Sequence, residues 1–346
     1  MTTAYITHPR YTEHHLAGHP EHAGRIRAIW KLLDDTGLSA RMHQHQPEMV
    51  SEDHILTVHS SALLETMHWM EDTQQGSIYL DNSTYADFNS YSIARLAAGG
   101  VLMATDEVLS GRADNALAVV RPPGHHAMRD HAMGFCILGN VPIAVRHAQK
   151  HYGIKRVMVV DYDVHHGNGT EAMFYEDPDV LFISTHQYPF YPGTGDLTDI
   201  GNGEARGTTI NIPLSAGHSD ESFAAIYEQV VWPAARRFQP EVIFVSAGFD
   251  SHWTDPLASM RLSLTGYAHL TRELIRVAAE LCGGKIIFAL EGGYHLDALS
   301  YGIANIAHAL LGDDTVLDPL GKAPTISIKQ DVKPLISRLR HIHNIS

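Results

Sequence analysis

Five short apolar runs punctuate the chain: Ala116–Val120, Arg156–Asp161, Val180–Thr185, Glu241–Ser246 and Lys285–Leu290. Their apolar residues are continuous rather than alternating, as in parallel strands covered on both faces. Helical patterns lie between them. Phe223, Ile226, Tyr227 and Val230 follow Ser219 as a cap, and Leu270, Leu274, Val277 and Leu281 make a second stripe. Further helices are expected near residues 22–35, 54–71, 90–110, 138–151 and 296–310. This alternation predicts an α/β fold with a mostly parallel sheet. No repeat, low-complexity tract or linker-like stretch interrupts residues 1–346, which read as a single domain.

Polar residues gather at the strand ends. Arg121-Pro-Pro-Gly-His-His126, Asp161-Tyr-Asp-Val-His-His166, Ser184-Thr-His186, Ala247-Gly-Phe-Asp250 and Glu291-Gly-Gly-Tyr294 all lie at or just beyond them. In open parallel sheets, ligands bind at that edge.

Composition narrows the classes. Charged residues sum to −14 with His neutral, which argues against nucleic-acid and anionic-membrane partners. The two cysteines, Cys136 and Cys282, fit a reducing, cytoplasmic setting. The first residues lack a signal-peptide pattern, and no apolar run approaches 18 residues. The 25 histidines equal Lys and Arg together, an excess with no evident physical cause.

Period-2 geometry puts Asp161, Asp163 and His165 on one face as a strand runs out. Two carboxylates and an imidazole suit a divalent cation, against the plainer reading of a hydrogen-bonded strand end. Asp250, ending another strand, can complete an Asp–His–Asp set. Three ligands with one open position is the catalytic zinc arrangement. His125 and His126, on a rigid Pro-Pro-Gly turn, read alone as solvated loop residues; beside a metal they read as bases. Tyr294 follows a flexible turn and could donate to an oxyanion or simply pack. His14, His15, His43, His45, His341 and His343 are read as surface residues.

From His19-Pro-Glu21 and Arg25 to about Leu311, the ordered motifs Arg-Pro-Pro-Gly-His-His-Ala, Asp-Tyr-Asp-Val-His-His-Gly-Asn-Gly-Thr and Glu-Gly-Gly-Tyr are specific together. The chain resembles the metal-dependent histone deacetylase superfamily. That superfamily includes bacterial histone-deacetylase-like amidohydrolases and acetylpolyamine amidohydrolases. The resemblance implies the arginase/deacetylase fold, a central parallel sheet of about eight strands flanked by helices. It implies zinc, with Fe(II) or Co(II) as substitutes, held by Asp163, His165 and Asp250. His126 is implied as general base oriented by Asn168, His125 as the second histidine paired with Asp161, and Tyr294 as the phenol polarising the carbonyl. Gly134, Phe135 and Tyr191 (or Phe190) would wall the acyl-lysine tunnel. Ser83, with Asp81 as fallback, would contact the substrate backbone, and Arg25 would lie behind the site. A structural K+ or Na+ would use Asp161, Ser184, Thr185 and the carbonyls of Asp163 and His165.

Asn168 stands where class I members have Asp, so the chain resembles class II. Leu257 occupies the place of the Glu gatekeeper of polyamine-selective members, which lowers the odds for polyamines. The implied activity is removal of acetyl or other short acyl groups from lysine side chains of a protein or peptide. The alternatives are an acetylpolyamine amidohydrolase acting on small acetylated amines and a catalytically silent acyl-lysine binder. A two-manganese ureohydrolase is disfavoured, because Gly248 stands where its first Asp would be. Oligomeric state is open. The stretch 324–346 lies outside the resemblance, and Lys333–His343 reads as a basic surface helix.

Overall fold

Eight parallel strands form the central sheet of the computed structural model, which describes residues 1–325 and 330–345. In chain order they are β1 (Thr3–Ile6), β2 (His43–His45), β5 (Asn115–Ala118), β6 (Val157–Asp161), β7 (Val180–Gln187), β8 (Thr209–Leu214), β9 (Val242–Ala247) and β10 (Ile286–Leu290). A separate antiparallel pair supplies β3 (Ile78–Tyr79) and β4 (Tyr85–Ala86). The sheet order is β2-β1-β5-β10-β9-β6-β7-β8. The four central strands, β5, β10, β9 and β6, are buried along their whole length. Their C-terminal ends are therefore adjacent, and the loops that leave them must converge.

The helices are α1 (Gly24–Asp35), α2 (Leu38–Arg41), α3 (Glu52–Ile55), α4 (Ser61–Asp72), α5 (Ser90–Leu109), α6 (Asn140–Tyr152), α7 (Asn168–Phe174), α8 (Asp220–Ile226), α9 (Trp232–Phe238), α10 (Leu264–Cys282), α11 (Leu296–Leu310) and α12 (Lys333–His343). α5 packs on α6, while α1, α11, α10 and α8 form a contiguous series. The result is a single domain with a parallel sheet flanked by helices. No helix among the described residues is long and apolar enough to cross a membrane.

Three local expectations need correction. The helix expected over 54–71 is two, because the chain breaks between α3 and α4. There the Ser60 amide donates to the Arg129 carbonyl at 2.7 Å instead of continuing a helix. Ser219 precedes α8 but its hydroxyl turns to Glu221 at 3.2 Å and caps no backbone amide. α8 then runs through a π-turn at Tyr227–Val231 into α9. Pro233 explains the widened turn, since its ring cannot sit against the carbonyl four residues back. α12 is more than a surface helix: Ile336, Leu339 and His343 are buried. The part of the C-terminal stretch at 326–329, and residue 346, lie outside the described residues.

Candidate active site

The site is built where β6 and β9 end. Asp161 is the last residue of β6, and the ladder stops there. Beyond it, Asp163 Oδ1 lies 3.1 Å from His165 Nδ1, and Asp250 Oδ2 lies 3.2 Å from the same nitrogen. All three side chains are buried or nearly so, and their donor atoms fall within 4.8 Å of one another. Each carboxylate is anchored by its other oxygen. The Gly292 amide donates to Asp163 Oδ2 at 2.8 Å, and the Val164 amide donates to Asp250 Oδ1 at 2.8 Å. Asp250 Oδ2 is buried without a well-directed hydrogen bond among the described residues. Burial, reinforced by Asp163, pushes the Asp250 carboxyl up to about 7. Two acids so close in an apolar setting repel each other, and a cation between them removes that repulsion.

Two glycines make this approach feasible. A Cβ on Gly292 would sit 2.4 Å from both Asp163 Oδ2 and Asp250 Oδ2, and one on Gly248 would sit 2.1 Å from Asp163 Oδ2. Gly248 therefore does more than omit a second-metal carboxylate: any side chain there would displace Asp163. Asp161 stands outside the three-donor cluster. Period-2 placement failed for it because the chain leaves the strand after this residue. Its Oδ2 lies 3.0 Å from His125 Nδ1, and its Oδ1 accepts from the Asp163 amide at 3.0 Å.

The two histidines of the Pro-Pro-Gly turn sit in opposite electrostatic surroundings. His126 Nδ1 lies 2.6 Å from Asn168 Oδ1. The Asn168 amide nitrogen is turned to the sulfurs of Met128 and Met133 at 3.2 and 3.4 Å, so its oxygen faces the ring. Nδ1 must then carry the proton, leaving the Nε2 lone pair free. Burial, aided by His125 and His165, holds the His126 pKa well below the usual range. For His125, burial opposes ionisation, but the Asp163 and Asp161 carboxylates outweigh it and hold the pKa well above that range. A neutral and a cationic imidazole thus stand with centroids 4.0 Å apart.

Tyr294 is held from behind. Its amide donates to Asp255 Oδ2 at 2.8 Å, and the Arg25 guanidinium lies 5.1 Å from its ring centroid. Arg25 also donates to the carbonyls of Gly293 at 2.8 Å and Glu291 at 2.6 Å. Burial, with Asp250 nearby, raises the Tyr294 pKa well above 10, so the phenol keeps its proton. Leu257 is placed by the same acid, its amide donating to Asp255 Oδ1 at 2.9 Å.

Aromatic rings surround the cluster. Phe135 meets Tyr294 edge-on at 5.7 Å. Phe190 stacks on His165 at 5.4 Å, and Tyr191 meets His126 edge-on at 5.2 Å. Both alternatives for the second wall therefore lie at the site. Gly134 and Phe135 have φ of 56° and 69°. A Cβ on Gly134 would sit 2.3 Å from the His126 ring, so only glycine lets this loop lie against it. The turn is pinned by Thr84 Oγ1, which accepts from the Phe135 amide at 2.9 Å, and by Asp81. Ser83 directs its amide and hydroxyl at Asp81 Oδ1, while its carbonyl lies 2.8 Å from His19 Nε2. Ser184 Oγ is engaged with His186 Nδ1 at 2.9 Å, and Thr185 Oγ1 is buried without a partner among the described residues.

A histone deacetylase domain matches residues 19–310. The chain belongs to the histone deacetylase family. It is 40% identical over 307 residues to a histone deacetylase-like amidohydrolase of Pseudomonas aeruginosa, covering 88% of this chain and 80% of that protein. It is 36% identical to a probable deacetylase of Archaeoglobus fulgidus, covering 100% and 97%. The chloroplastic histone deacetylase 14 of Arabidopsis thaliana is 38% identical, covering 95% and 82%. The crystal structure of the HDA15 HD domain superposes with a TM-score of 0.89 at 33% identity, covering 99% of this chain and 94% of that one. The arginase/deacetylase fold and the deacetylase hydrolase class follow.

The motifs of this deacetylase-family chain did not reveal its rear framework. Glu21 accepts from Arg121 Nε at 2.8 Å and Nη2 at 2.6 Å, and from Arg25 at 3.1 Å, all buried. Burial opposes ionisation of Glu21, but the two guanidiniums hold its carboxyl well below the usual range. Glu291 accepts from the amides of Gly124 at 2.7 Å and His125 at 3.2 Å, tying β10 to the histidine turn. Two histidines expected at the surface are interior. His14 stacks on Tyr85 at 4.3 Å and lies 2.8 Å from Ser90 Oγ, and His343 is buried at the C-terminal end of α12. His15, His43 and His341 are exposed and His45 is partly so.

Proposed function

We propose that the chain is a metal-dependent amidohydrolase that removes acetyl or short acyl groups from N-acyl-lysine side chains. The reading rests on one observation: a three-donor cluster, whose buried Asp250 Oδ2 has no well-directed hydrogen bond among the described residues, faces a neutral imidazole whose tautomer is fixed by Asn168. Asp163, His165 and Asp250 would hold one divalent ion, zinc before Fe(II) or Co(II). When bound, that ion supplies carbonyl polarisation and acidified water.

The chain's own groups account for the remaining steps. Phe135, Phe190 and Tyr191 would flank the acylated lysine arm and exclude water from it. His126 accepts a proton at Nε2 as water attacks, and its Nδ1–H stays with Asn168. Tyr294 donates its hydroxyl hydrogen to the carbonyl oxygen as negative charge develops there. His125, held cationic by Asp161, adds positive charge without giving up its proton. His126 then passes its proton to the lysine nitrogen, which leaves as a neutral amine with acetate as the other product. Ser83 or Asp81 at the rim would contact the substrate backbone. Leu257 offers no charge to the second ammonium group of a polyamine, which favours acyl-lysine.

A structural K+ or Na+ at Asp161, Ser184, Thr185 and the Asp163 and His165 carbonyls is part of this reading, supported by the unpartnered Thr185 hydroxyl. A cytoplasmic setting is supported by two buried free cysteines. Assaying an acetyl-lysine peptide beside N-acetylputrescine and N-acetylspermidine tests the substrate: preference for the peptide supports the reading, and preference for the amines replaces it.

A further inference from the structure

His147 and His151 lie one turn apart on α6, so they share a helix face. His54 reaches the same face from α3. The ring centroids are 4.4 Å apart for His147 and His151, 5.4 Å for His54 and His147, and 5.9 Å for His54 and His151. One nitrogen from each ring lies within 4.8 Å of the other two.

The free nitrogens are defined by what holds the others. His147 Nε2 lies 2.7 Å from Asp106 Oδ1, which also accepts from Tyr152 OH at 2.8 Å. A carboxylate there keeps the proton on Nε2, so Nδ1 carries a lone pair. That Nδ1 is buried and has no hydrogen-bond partner among the described residues, in a side chain only 9% exposed. An unpaired buried nitrogen is costly unless something binds it. His54 Nδ1 lies 2.8 Å from Ser51 Oγ, leaving Nε2 free.

We propose that His54, His147 and His151 form a second transition-metal site, separate from the aspartate-rich one, with Asp106 orienting His147. Three imidazoles suit zinc, nickel or cobalt, and helical His pairs at this spacing bind zinc on one face. A carboxylate behind a ligating histidine is the usual supporting partner. His151 is exposed, so the fourth position opens to solvent. The ion would clip α3 to the C-terminal half of α6. The same segment is already tied to the other end of that helix, because His59 Nε2 accepts from the Gly139 amide at 2.8 Å.

The test is zinc content of the full-length protein after dialysis against buffered free zinc, read by elemental analysis. Wild type should hold one zinc per chain more than His54→Ala or the conservative His151→Gln. Both variants should keep their acyl-lysine turnover and lose the zinc-induced rise in melting temperature that remains once the other site is filled. An Asp250→Asn chain should keep the zinc that the His variants lose. The comparison therefore stands even if the hydrolase reading fails. Equal zinc content in wild type and both His variants overturns the proposal.

Discussion

Asn168 Oδ1 sits 2.6 Å from His126 Nδ1, and on its far side the Asn168 amide faces two methionine sulfurs. The imidazole is therefore oriented at Nδ1 by a neutral amide oxygen and not by a carboxylate. In Asn168→Asp a negative charge would face Nδ1 and stabilise the imidazolium. The acidic limb of the kcat/KM profile should move to higher pH by about 1–3 units. A pH–rate series on the variant checks this, and an unmoved limb would take His126 out of the role of base.

Tyr294→Phe removes a hydroxyl and leaves the ring on Phe135 and under Arg25. Turnover should fall by about 100- to 1000-fold. Metal content should be unchanged, since Tyr294 is outside the donor cluster. Steady-state assay paired with metal analysis reads both. Near-wild-type turnover would leave the phenol with a packing role only.

Gly292→Ala adds one methyl group where both Asp163 and Asp250 oxygens already stand at 2.4 Å. Both neighbours are anchored carboxylates, so the clash cannot be relieved cheaply. The variant should fold with reduced stability and lose metal affinity by at least about tenfold, the scale on which disturbed support of a metal site is felt. Competition with a chelator measures it. Unchanged affinity would mean that the two carboxylates do not act together on one ion.

Acid should unfold this protein through its interior histidines. Burial lowers the pKa of His14 and His186 to about 3 and of His59 to about 4. These rings stay neutral in the fold and gain a proton only on unfolding. Stability is then fully present above about pH 6.5 and lost as pH falls towards 4 and 3. Each such ring steepens the loss by up to about 1.4 kcal/mol per pH unit. Urea midpoints measured from pH 7 to 4 should drop steadily; a flat series would contradict the neutral assignment. His59 shows what a neutral interior ring does: it donates from one nitrogen to the Met128 carbonyl and accepts on the other from Gly139. A neutral imidazole is suited to such two-sided interior links.

The strands read from sequence are those whose apolar runs are unbroken, because both faces of the central sheet are covered. β1, β2 and β8 escaped notice. β2 is the exposed His43-Gln44-His45 at one edge, and β8 alternates Thr209, Asn211 and Pro213 with apolar residues at the other edge. Such short or alternating pieces, β1 with its four residues included, carry little signal of their own. The cluster of Asp163, His165 and Asp250 was legible because these residues follow closely on apolar runs. The Glu21–Arg121 pair spans 100 positions and leaves no local pattern, as does the Glu291 link to the histidine turn. The break after α3 was hidden beside the strong helical period of Leu63, Leu64, Met67 and Met70, all in α4.

The most direct test counts metal and turnover on one sample: wild type and Asp250→Asn, each assayed on an acetyl-lysine peptide after stripping and after return of one equivalent of zinc. Wild type should lose activity on stripping and regain it with the ion, while Asp250→Asn should regain neither tight binding at this site nor turnover. Full hydrolysis by stripped wild type, or by the variant, would contradict the account.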